Sequence, residues 1–235
     1  IHKRGEIAMK NILKIMLMMI TIYTITGSAV YAAEIPVSDQ DQLITSRDWT
    51  EISNLQDEMK KEEPDATIDY DKALKVYVDC NLIKLQTADT KKLTSALESA
   101  NYVWVIPFKM EKTYGMFTVA KGLPLSEEAK SVLTKAEQEE VKNHAGKWMI
   151  TETAEHTVEP YYDILLEKRE ALSDCTRVVL VGSQPGMRQP VALGMDDETA
   201  RIWISLGYQY PVMEKIPETQ NVESGVYSFD SVAEI

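Results

Sequence analysis

Residues that most enzyme chemistry draws on are scarce in this chain. Of 235 residues, three are histidine (His2, His144 and His156) and two are cysteine. Neither His144 nor His156 sits in a His-x-x-x-His spacing, the pattern that puts two imidazoles on one helix face to grip a metal. His144 falls in the last turn of a charged helical stretch, where an imidazolium is favoured by the helix dipole. His156 lies among Glu152, Glu155 and Glu159. The Gly-Lys-Ser/Thr ending of a phosphate loop is also missing. Gly182-Ser183-Gln184-Pro185-Gly186 follows a strand-like run, but its glycines flank the serine at one before and three after, the wrong offsets for a nucleophile elbow. Gln-Pro-Gly reads as turn chemistry, with proline at the first central position and glycine at the second. Asp69 with Asp71, and Asp196-Asp197-Glu198, lack the ligand ladder of a calcium loop and suit turn backbones instead. No cofactor and no metal are therefore expected. The enzymatic alternative is a hydrolase using Ser183 with His156 or His144.

Near the start there is a run of a different kind. Met9, Lys10 and Lys14 form a short basic region, Ile15 to Ile25 is almost wholly apolar, and Gly27, Ser28, Ala29 and Val30-Tyr31-Ala32 supply small residues in the −3 and −1 pattern of a signal peptidase site. This order predicts a signal peptide over 9–32, cleaved after Ala32, and a secreted or extracytoplasmic protein. Residues 1–8 precede the start at Met9 and are read as extraneous. An uncleaved anchor is the rival reading, since about 20 apolar residues span a bilayer. Thr21, Thr24, Thr26 and the small-residue end speak against it. No stable membrane insertion is expected after cleavage.

Acidic side chains outnumber basic ones, 37 to 25, for a formal charge of −12. Four of the basic and one of the acidic residues fall within 1–32, which leaves 21 against 36, a net of −15. A surface of that sign repels phosphate backbones and anionic lipid heads. Nucleic acid is thereby excluded as the expected ligand; a protein or a cationic cell-envelope component is the favoured partner class.

Patterning divides the remainder. Residues 33–66 are polar and acidic, with Trp49, Ile52, Leu55 and Met59 at helical spacing. A globular α+β domain is expected over 67–212. In it Leu74, Val76 and Val78 alternate with Lys75, Tyr77 and Asp79 as in a half-buried strand. Leu93, Ala96, Leu97 and Ala100 form a helical stripe, and Tyr102–Phe108 and Tyr114–Ala120 read as strands. Ser126 ahead of Glu127 and Glu128, and Thr134 with Glu137, are helix-start signatures; Gly146 is placed to end that helical linker. Lys147–Thr153, Arg177–Val181, Val191–Met195 and Arg201–Leu206 read as further strands, and Tyr161–Leu172 as a helix. An offset of 75 residues carries Ala96-Leu97 onto Ala171-Leu172 and Val103 onto Val178, so two related βαββ halves, 67–122 and 147–208, are one reading of the pattern. The sheet is expected to be mostly antiparallel with helices covering one side, and 213–235 to form a polar tail.

Cys80 ends the first of these strands and Cys175 precedes the strand at Arg177. If the two strands were antiparallel neighbours the sulfurs would meet, and a disulfide closing that long loop would stabilise the fold by about 4 to 5 kcal/mol. Trp104, Trp148 and Trp203 lie on three separate strands. Either all three are core, or at least one is exposed on an open sheet face, with Tyr77 and Tyr102 beside it, as an aromatic binding surface.

Overall fold

A computed structural model describes residues 35–156, 159–182, 184, 189–207 and 225–233. Residues 9–32, over which the sequence predicts a signal peptide, and Ser183 lie outside these residues. Nine strands among the described residues form one sheet: β1 (Thr67–Ile68), β2 (Leu74–Tyr77), β3 (Tyr102–Lys109), β4 (Tyr114–Lys121), β5 (Trp148–His156), β6 (Arg177–Val181), β7 (Val191–Met195), β8 (Ala200–Ser205) and β9 (Val226–Ser228). Their order is β5-β4-β3-β2-β6-β7-β8-β9, with the short β1 pairing with β3 beside the end of β2. Every neighbouring pair is antiparallel except the central one, β2 with β6, which is parallel. The fold is α+β with a mostly antiparallel sheet, as the alternation and the turn signals imply.

Among the described residues the α-helices are α1 (Trp49–Ile52), α2 (Gln56–Glu62), α3 (Thr90–Ser99), α4 (Glu127–Val132), α5 (Lys135–His144), α6 (Tyr161–Glu167) and α7 (Phe229–Ala233). Lys75 faces Trp104 across the β2–β3 ladder and Trp104 faces Val119 across β3–β4. Because side chains alternate, Lys75, Tyr77, Trp104 and Val119 share one face. On that face Leu43, Ile52 and Met59 from 35–66 cover Trp104 and Phe117, while Leu93 and Leu97 of α3 and Phe229 and Val232 of α7 cover Tyr77, Leu193 and Trp203. The opposite face carries Leu165 of α6 over Leu74, Val76, Val178 and Leu180. Helices thus cover one face along its length and the middle of the other.

Four expectations change. The βαββ halves have different topologies. β2 pairs with β3 across α3, whereas β5 continues the β3–β4 meander at the sheet edge and β6 lies beside β2. The 75-residue offset therefore aligns strands with different neighbours. The disulfide expectation fails on geometry, for β2 and β6 are parallel: Cys80 follows the C-terminal end of one and Cys175 precedes the N-terminal end of the other. The length of β6 separates them, on the order of 17 Å, whereas a bridge needs Cα atoms within about 7 Å. Both are buried free thiols, and burial pushes Cys175 up to about 11. The C-terminal tail is not wholly loose, since within 225–233 Val226, Tyr227, Phe229 and Val232 are buried and supply β9 and α7. Lastly, the helix from Tyr161 ends at Glu167 and gives way to turns before Cys175.

Candidate functional site

Beside the central parallel pair the sheet opens into a fork. β2 and β6 pair only at Val76–Leu180 and Tyr77–Val181. Below that point the segment after residue 35 slips between them, bridging to β6 at Val37–Val178 and to β2 at Gln42–Leu74. Asp41 sits in the fork at 2 % exposure. Its Oδ2 accepts hydrogen bonds from Ser38 Oγ at 2.6 Å and Arg177 Nη2 at 3.1 Å, and its Oδ1 accepts one from the Tyr77 hydroxyl at 2.7 Å. Lys75 Nζ stands 3.5 Å from Oδ1. Burial alone would raise the Asp41 pKa. The hydrogen bonds from Ser38 and Tyr77, with the charges of Arg177 and Lys75, outweigh it and hold the carboxyl below its ordinary value. Tyr77 is pushed well above the phenol range, first by burial and then by the carboxylate it serves.

Lys75 is the buried lysine of the described residues. Its ammonium lies 4.7 Å from the Tyr102 ring centroid, 5.3 Å from Trp104 and 5.7 Å from Tyr77, so three aromatic faces do the work of water. Burial lowers its pKa even though Asp41 acts the other way. The rings themselves are fixed by a second carboxylate: Asp48 Oδ2 accepts from the Tyr102 hydroxyl at 2.9 Å and from Trp104 Nε1 at 3.0 Å. Burial and that hydrogen bond push Tyr102 up to about 12.

Above Lys75 is a cavity of about 420 Å³ whose wall includes Asp39, Arg47, Asp48, Tyr77, Glu98 and Tyr102. On the far side of Tyr102 lies a second, of about 490 Å³, walled by Lys121, Leu123, Pro124 and Trp148 among others. Tyr102 and Ala100 belong to both. Tyr102 and Trp148, a tilted ring pair 5.8 Å between centroids, both line the second cavity. Leu123 is 60 % exposed at the rim.

Of the residues singled out from the sequence, Tyr77, Tyr102 and Trp148 converge here. Trp104 and Trp203 do not reach the surface, both being fully buried, and Trp148 is only 7 % exposed. The open aromatic face is therefore absent; Trp203 packs against Phe229 in the core instead. The hydrolytic grouping, Ser183 with His156 or His144, lies partly outside the described residues. His144 ends α5 just before β5 and His156 ends β5 itself, so the strand's length, on the order of 27 Å, lies between them, and Ser183 is outside the described residues. Its neighbour Gln184 is buried, donating to the carbonyls of Cys80 and Gly182 and accepting from the Leu82 amide, a clasp on the loop after β2. Asp196 accepts from the amides of Glu198 and Thr199 and from Arg201, so it serves its own turn. Among the described residues no group of three or more His, Cys, Asp or Glu could hold a metal ion, and no helix is long and apolar enough to cross a membrane.

Asp41, Asp48, Lys75 and Arg177 escaped sequence reading. Lys75 looked like the outward residue of an alternating strand; only its central place between β3 and β6, with both faces covered, makes it a buried cation. Comparison with known proteins finds no family model that matches this chain, and neither a curated protein nor a solved structure that is similar to it.

Proposed function

We propose that this is an exported, non-catalytic binding protein whose ligand lies across the two cavities divided by Tyr102. The observation that carries the reading is their adjacency. Two hollows within the size range of ligand sites share one aromatic side chain whose hydroxyl is tied to Asp48 and whose ring rests on Lys75 and Trp148. Such a wall is held in place before a ligand arrives, which lowers the ordering cost of binding. Carboxylates of Asp39, Asp48 and Glu98 outnumber the cations of Arg47 and Lys75 in the first cavity, and Lys75 is already balanced by Asp41. Together with the net charge outside the signal region, this favours a partner with a cationic group for the first cavity and an apolar stretch for the second, on a protein or a cell-envelope component. Export follows from the signal pattern over 9–32.

Titration with short peptides that combine lysine and phenylalanine, followed by amide shifts, tests the proposal. Shifts should cluster at residues 98–102 and 121–124, weaken as salt is raised, and vanish in Tyr102→Ala. Shifts scattered over the acidic surface, or a response equal for acidic peptides, would rule out this site.

A further inference from the structure

Lys75 presents chemistry beyond reversible binding. We infer that it forms an imine with a small neutral carbonyl compound, an aldehyde or ketone, entering the first cavity; this rests on the reading that the cavity admits a ligand. The placement is the main argument. Lys75 lines the cavity of about 420 Å³ yet its side chain is only 10 % exposed, so an amine there meets a ligand with little competing water. Asp41 does not depend on it. Both carboxylate oxygens already accept shorter bonds, Oδ1 from Tyr77 and Oδ2 from Ser38 and Arg177, and the Lys75 contact is the longest of the set. Arg177 supplies the balancing positive charge for Asp41 when Lys75 is neutral.

The same surroundings suit the product. The neutral Nζ attacks the carbonyl carbon, the C–N bond forms, and the proton that nitrogen gives up passes to the oxygen to give a carbinolamine. The proton that the ammonium released to solvent in becoming the neutral amine then returns to that hydroxyl, which leaves as water while the nitrogen lone pair closes the C=N bond. In sum, one ammonium and one carbonyl yield one iminium and one water, with no change of oxidation state. An iminium keeps the positive charge that the rings of Tyr102, Trp104 and Tyr77 face, so the adduct retains the stabilisation of the free ammonium. Lowering of the amine's pKa by burial enlarges the neutral, attacking fraction at neutral pH. The rim carboxylates of Asp39, Asp48 and Glu98 disfavour anionic carbonyl compounds and leave neutral ones unopposed.

The test uses the full chain with benzaldehyde and sodium cyanoborohydride, which reduces an imine to a stable secondary amine, followed by peptide mass mapping. Lys75 should be labelled about tenfold faster than the exposed Lys91 and Lys112 of the same molecule, with a pH midpoint below theirs, and Lys75→Arg should lose only that site. Because the comparison is internal to the wild-type chain, it stands even if the variant folds poorly. Labelling of Lys75 no faster than Lys91 overturns the imine. Benzaldehyde-induced shifts at Tyr102 and Leu97, read separately, decide the cavity reading, so shifts without labelling would remove the imine and keep the binding site.

Discussion

The fork at the centre of the sheet and the excursion between β4 and β5 are held by different physics. In the fork, side chains from three places in the chain (Asp41, Lys75 with Tyr77, and Arg177) bring a buried carboxylate together with a buried lysine under aromatic rings and a part-buried arginine. In the excursion, residues 122–147, not one residue is buried and Val132 stands 79 % exposed. Its order is local. Ser126 caps α4, Thr134 and Glu137 form a reciprocal capping box on α5, and Gln138 donates to the carbonyls of Lys130 and Leu133. At its base the Gly122 amide donates to the Lys147 carbonyl and the Gly146 amide to the Gly122 carbonyl. Gly146 has φ +76°, a conformation glycine adopts without strain, and a Cβ on Gly122 would stand 2.1 Å from the His144 carbonyl. A polar network that is buried makes every member costly to remove, whereas an arm made of caps loses little when one is cut.

Removing the centre of the fork should have the largest effect. Asp41→Ala leaves the buried Lys75 and the part-buried Arg177 without their carboxylate, and breaking a buried ion pair such as Lys75–Asp41 in that way costs about 3 to 5 kcal/mol. Urea unfolding should show that loss; a change under about 1 kcal/mol would mean that the fork is as dispensable as a surface pair. Tyr77→Phe deletes a single hydroxyl that donates to the same carboxylate, and should cost about 1.5 to 3 kcal/mol, the range for hydrogen bonds to charged groups. A Tyr77→Phe protein as stable as wild type would show that Ser38 and Arg177 alone satisfy Asp41.

Acid should then discriminate between the regions. Asp41 has a folded pKa below its ordinary 3.8, so as pH falls through 3.8 the unfolded chain takes up a proton that the native state refuses. Its stabilisation is thus full above the unfolded value and lost on the way down to the folded one. Wild type should lose stability more steeply than Asp41→Asn over that window, measured as urea midpoints at stepped pH. Parallel curves would place the acid sensitivity elsewhere. At the alkaline end the phenols of Tyr77 and Tyr102 are raised. The unfolded chain there gives up protons near pH 10 that the native state keeps, and stability falls above that pH.

The same contrast explains what could be read from the sequence. The arm was legible in detail: Ser126, Thr134 with Glu137, and Gly146 are signals that act within a few residues, and each sits where its spacing predicted. Strands β2 to β8 were legible as elements because period-2 patterning is also local. Strand order was not, since no short-range signal says that β6 lies beside β2 and runs parallel to it. The error over Cys80 and Cys175 comes from that single unknown. The fork was hidden for the same reason: Asp41 and Arg177 meet at 3.1 Å although 136 residues separate them. Tyr77, Tyr102 and Trp148 were recognisable as aromatics on strands, yet whether they would face a cavity or the core depended on the cover supplied by Asp48, α3 and the arm.

The smallest expected effect tests the arm's independence. Thr134 is the N-cap of α5; its hydroxyl accepts from the Glu137 amide and its own amide donates to the Glu137 carboxylate. Thr134→Ala removes half of that exchange, a change of about 1 kcal/mol in helix stability. Because α5 buries nothing, that loss should stay where it is made. Amides of residues 135–144 should exchange faster with solvent in the variant, while those of β2 and β6, protected by both neighbours in the sheet, should keep their wild-type rates and the global unfolding midpoint should not move. If Thr134→Ala instead lowered the global midpoint, or quickened exchange at Val76 and Leu180, the arm would be coupled to the fork through Tyr102 and Trp148. Equal exchange in α5 before and after would show that its bonds to the base, Gly122 to Lys147 and Gly146 to Gly122, hold the arm in place of its cap.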